Sequence, residues 1–81
     1  MNCDYGESHF TTQQITDTKQ GYAGIELYRK SRLKEGDAIR VARILFWDAC
    51  GQFYFETFNA DIPVRIVEDL IAEAKVTIKI S

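Results

Sequence analysis

The chain is expected to fold as a small α+β domain: an antiparallel three-stranded β-meander, one C-terminal helix packed on one face, and a short final strand. Three observations predict it. Two apolar runs of β type between Ala38 and Phe58, AIRVARILFWDACGQFYFETF, are joined by the turn residues Asp48-Ala49-Cys50-Gly51. One amphipathic segment follows them, with apolar residues three and four apart. A chain of 81 residues has room for one core only, burying about 60–65% of its unfolded surface.

Residues 1–20 are polar, with Phe10 and Ile15 as apolar anchors. They read as a partly mobile leader in which FTTQQIT is a candidate edge strand; residues 21–81 form the single α+β domain. From Tyr22 to Ser31 the pattern alternates, Ala23, Ile25 and Leu27 pointing one way and Gly24, Glu26 and Tyr28 the other. Gly21 and Gly24 disfavour a helix there. The polar stretch Arg32 to Asp37 is then a hairpin connection.

The second hairpin is sharper. Asp48 and Gly51 suit a type I turn followed by a left-handed glycine, which makes a three-residue loop. That loop pairs Trp47 with Phe53 and Leu45 with Phe55 on one side, and Phe46 with Tyr54, Ile44 with Glu56 and Ala42 with Phe58 on the other. Arg43 shares its parity with Ile39 and Val41, so a bulge is expected near Ala42–Arg43. Asp61 and Pro63 mark a helix entry, with Asp61 as cap. Val64, Val67, Leu70, Ile71 and Ala74 make its apolar stripe. Val76, Ile78 and Ile80 alternate in the expected last strand.

Composition narrows function more than it assigns it. Apolar residues make up 46% and charged residues 27%, an ordinary globular balance. No apolar run reaches the ~18–20 residues of a membrane span, and MNCDYGESHF has neither a basic nor an apolar signal region, so the cytoplasm is the expected compartment. Cys3 and Cys50 lack CxxC spacing and His9 is the only histidine, which leaves no zinc ligand set. No glycine spacing matches a phosphate-binding loop, and no nucleophile–base constellation is present. Neither catalysis nor a cofactor is expected.

What remains is binding. Both sides of the predicted sheet are apolar, and one helix covers one side. Ile44, Phe46, Tyr54 and Phe58 are therefore the expected protein-contact residues, in a homodimer or a larger assembly. The competing reading is nucleic-acid binding. Between Arg29 and Arg43, six basic residues against two acidic ones leave a local +4 in a chain of net charge −2. Arg29, Lys30, Arg32, Arg40 and Arg43 would contact phosphates, with Tyr28, Phe46 and Tyr54 available for stacking. Three strands followed by a helix is similar, at the level of fold alone, to sheet-based DNA readers such as the phage integrase arm-type domains.

Overall fold

The computed structural model describes residues 1–78. It holds one antiparallel sheet of five strands in meander order and one C-terminal helix: β1 (Asn2–Tyr5), β2 (Ser8–Asp17), β3 (Tyr22–Ser31), β4 (Ile39–Trp47), β5 (Gln52–Thr57) and α1 (Val64–Thr77). The expected three-stranded meander is thus corrected to five strands. Residues 1–20 supply the two extra ones. FTTQQIT lies in β2, whose ten residues pair with β1 on one side and β3 on the other. Its polar side chains suit a strand with one wetted face, which is why apolar alternation is faint there.

The expected terminal strand is also corrected. Val76 and Thr77 belong to α1, and Ile78 caps it through a bond from its N–H to the Ala74 carbonyl. The remainder of that strand lies outside the described residues.

β3 matches its expected span and faces. Ala23, Ile25 and Leu27 point at the helix side, and Ile25 and Leu27 are fully buried. β4 carries a bulge between its pairings to Leu27 and Tyr28, where Ala42 faces Leu27 and Arg40 faces Tyr28. Val41 is the extra residue. The kink lets Val41 and Ala42, adjacent in sequence, both enter the core.

The β4–β5 register differs from the expected one by a single residue. Ile44 pairs with Phe55, Leu45 with Tyr54, Phe46 with Phe53, and Trp47 with Gln52. The turn spans Asp48 to Gly51, one residue longer than the three-residue loop, and closes with the Gly51 N–H on the Trp47 carbonyl. Gly51 does take the left-handed conformation, at φ 64°. A shift of one residue exchanges the two faces of a strand. Phe53 and Phe55 therefore join Ile44 and Phe46 on the helix side, and Tyr54 and Glu56 turn to the other.

Helix α1 begins after Pro63, which occupies the cap position without any side-chain cap bond. Asp61 is not the cap; its carbonyl accepts a bond from Arg29. The buried stripe is Ile66, Leu70 and Ala74, continued by Ile78, and it packs on β3 and β4. Val64 is 72% exposed and Ile71 39%. Relative to the expected stripe the helix is rolled, and its second apolar edge is left uncovered. Glu73, on the opposite flank, holds the Met1 ammonium and the Thr12 hydroxyl at 2.6 and 2.7 Å. That latch ties the helix to Met1 and to Thr12 of β2, while α1 lies over β3 and β4 and not over β5.

Candidate interaction surfaces

Two surfaces follow from this arrangement. The first is the face of the sheet away from the helix. Alternation places Tyr22, Gly24, Glu26 and Tyr28 of β3 there, together with Arg43, Leu45 and Trp47 of β4 and Tyr54 and Glu56 of β5. Although no second layer covers it among the described residues, part of it is dry. Leu45 folds over Gly24 and is 5% exposed. The Tyr22 and Trp47 rings pack at 5.0 Å. Glu26 is 7% exposed and accepts bonds from the Tyr28 hydroxyl at 3.0 Å and from Arg40 at 2.5 Å. Burial, and then the Glu26 carboxylate beside it, push the Tyr28 phenol above its ordinary value, and Glu26 does the same for the Arg40 guanidinium. Arg40 and Arg43 both lie over the Phe58 ring, 4.4 and 5.6 Å from its centroid.

The second surface is the edge at β5. The helix does not reach it, so every residue from Gln52 to Thr57 is exposed, Phe53 by 38%, Tyr54 by 53% and Phe55 by 46%. Between this strand and the uncovered flank of α1 lies an open cleft of about 210 Å³, lined by Ile44, Phe53, Tyr54, Phe55, Ile71, Ala74 and Lys75. Lys75 is the only charged residue among the described residues that line it.

The four expected protein-contact residues are divided between the two sides of the sheet, and of them only Ile44 and Tyr54 border the cleft. Ile44 and Phe46 are buried under α1 at 4% and 8% exposure, whereas Tyr54 and Phe58 are on the open side. Phe53, Phe55 and Ile71 are the residues that sequence reasoning placed in the core and that stand half-open instead. One signal could have found them: the last strand of a meander is an edge.

Four of the five expected phosphate-contact residues carry partners within the chain. Arg29 bonds the Asp61 carbonyl, and Arg32 bonds the Gly6 carbonyl and lies 3.8 Å from Asp4. Arg40 pairs with Glu26, and Arg43 Nε lies 3.2 Å from Glu56, close enough for ion pairing but off the axis of a hydrogen bond. Lys30 is exposed, with no ion pair among the described residues.

The His9 ring bonds Asp4 at 2.5 Å, and with help from Arg32 it holds that carboxyl below its ordinary 3.8. Cys3 and Cys50 are both free thiols. Among the described residues no group of three or more His, Cys, Asp or Glu is placed to hold a metal ion, and no helix is long and apolar enough to cross a membrane.

No protein-family model, curated protein or solved structure matches the chain.

Proposed function

We propose that this chain is a non-catalytic, cytoplasmic protein-interaction domain that works as a homodimer. One observation carries the reading: β5 is an unguarded sheet edge with three half-open aromatics beside an apolar cleft. Edges left free are ordinarily shortened or guarded by lysine, proline or a bulge. The opposite edge, β1, is only four residues long and carries Asp4. β5 has six residues, one charge (Glu56), and no proline or lysine. Its three aromatics alone expose roughly 270 Å², at ~200 Å² for a fully exposed ring. That is about a third of the ~800 Å² each partner contributes to an ordinary stable interface.

The test is mass in solution by light scattering over a range of concentrations. The homodimer runs at twice 9.3 kDa, and Phe55→Glu or Ile71→Lys returns it to a folded monomer by circular dichroism. A wild-type chain that stays monomeric at every concentration overturns the reading.

Nucleic-acid binding through Arg29, Lys30, Arg32, Arg40 and Arg43 draws less support. Most of those cations already have acceptors at hand, so phosphate must displace an existing partner rather than only counterions. Salt-sensitive oligonucleotide binding that is lost in Arg40→Glu/Arg43→Glu is the result that would favour it.

A further inference from the structure

Resting on the homodimer reading, we infer that two copies join β5 to β5 across a two-fold axis at Tyr54, making one continuous ten-stranded sheet with both helices on the same side.

The direction of the free backbone groups comes first. The Phe58 N–H donates to the Val41 carbonyl, so Phe58 faces β4. Alternation along the strand then turns the backbone groups of Gln52, Tyr54 and Glu56 toward β4 and those of Phe53, Phe55 and Thr57 outward. A second β5 can pair only by setting outward residues against outward residues. In an antiparallel, two-fold pair this forces odd-numbered residues opposite odd and even opposite even. Side-chain parity is thereby preserved across the junction. Phe53 and Phe55 of both copies fall on the helix side, and Tyr54 and Glu56 of both fall on the other.

Among the allowed registers, the one centred on Tyr54 sets Phe53 against Phe55 of the second copy, and Phe55 against its Phe53. With Tyr54 on Tyr54 it makes three cross-strand aromatic pairs, against one in the registers centred on Phe53 or Phe55. Charge agrees with it, because Glu56 meets Gln52 of the second copy and no like charges stand opposite. The cleft becomes the interior of the dimer: its four phenylalanines lie beside Ile71 and Ala74 of each helix. Lys75 stays at the rim, where its ammonium reaches water.

In this register the two Tyr54 residues form a non-hydrogen-bonded pair, with Cα atoms about 4.5 Å apart, within the range a disulfide spans. The test is oxidation of Tyr54→Cys in a Cys3→Ser/Cys50→Ser background, with light scattering on the reduced protein and Thr11→Cys as a control remote from the junction. Most of the Tyr54→Cys chain is expected at dimer mass on non-reducing gels, and none of the control. A reduced protein that is dimeric but does not cross-link at position 54 overturns the β5 junction and leaves the homodimer standing. Phe53→Cys or Phe55→Cys in the same background cross-linking in preference to Tyr54→Cys overturns the register. A reduced protein that is monomeric overturns the homodimer and the junction with it.

Discussion

Gly24→Ala tests how the open face is closed. Gly24 faces Leu45 across the β3–β4 ladder, and an added methyl would lie 2.6 Å from Leu45 Cδ2 and 3.3 Å from the Ile44 carbonyl carbon, and in hard contact with the Ile44 carbonyl oxygen. The backbone of Gly24 is not left-handed, so the cost is space and not torsion. Leu45 can rotate away. The Ile44 oxygen cannot, because Ile44 pairs with Ile25 at the centre of the sheet. Overpacking of this kind costs about 1–3 kcal/mol, offset by ~0.4–1 kcal/mol from the stiffer unfolded chain. A net loss of about 1–2 kcal/mol is expected, which lowers Tm by roughly 5–15 °C in a domain of this size. Thermal unfolding followed by circular dichroism reads it. Adding Leu45→Ala to Gly24→Ala separates the two clashes: if the carbonyl is the obstacle, the double variant recovers none of the loss. A Gly24→Ala protein as stable as wild type, or a double variant more stable than Gly24→Ala, would refute the reasoning.

Leu70→Ala, which empties a fully buried site under the helix, is expected to lose about 2–5 kcal/mol in urea unfolding. Glu26→Ala strips acceptors from Tyr28 and Arg40; because Arg40 is 44% exposed the loss is held to about 1–2 kcal/mol, read in the same assay. Asp4, whose folded-state pKa is depressed by His9, stabilises the fold above its unfolded value, and that contribution fades as pH falls through the folded one. A carboxyl titration by NMR should therefore place Asp4 below 3.8, and His9→Ala should move it back up. Tyr28 has the opposite sign: its raised phenol contributes stability that is complete below pH 10 and disappears as pH rises through the folded value. Ultraviolet titration should find two late-ionising tyrosines, Tyr28 and Tyr54, the second raised by its hydrogen bond with Cys50, and Tyr28→Phe should remove one of them.

What was legible in the sequence was whatever a strict period expressed. Ala23, Ile25 and Leu27 gave β3 its bounds and its faces, and the Arg43 parity conflict signalled a bulge within two residues of Val41. β2 was faint because its core contribution is concentrated in Phe10, with Thr12 and Gln14 filling the rest of that face. The helix carried two usable apolar edges, Ile66-Leu70-Ala74 and Val64-Val67-Ile71. Periodicity cannot choose between them. Tertiary contacts chose, through Glu73 binding Met1 and Thr12 on the far flank. At the second hairpin one turn residue decided everything: a loop of four instead of three moved Phe53 and Phe55 across the sheet.

That single shift relocates the apolar surplus. With a three-residue loop, Phe46, Ile44, Tyr54 and Phe58 would form an uncovered patch at the middle of the open face. With four, the open face receives residues that close it from within: Leu45 lies in the space Gly24 leaves, Glu26 is neutralised by Arg40, and Phe58 sits beneath two guanidiniums. Phe53 and Phe55 go instead to the strand farthest from the Glu73 latch, where the helix leaves them half-covered. A monomer could have hidden them by tilting α1 toward β5, but only by breaking the ion pair and hydrogen bond that anchor its other flank. The apolar excess and the unpaired strand edge therefore coincide, and a contact that satisfies one satisfies the other. A partner strand supplies the missing backbone bonds and the missing cover together, which neither a small ligand in the cleft nor a helix laid across it does.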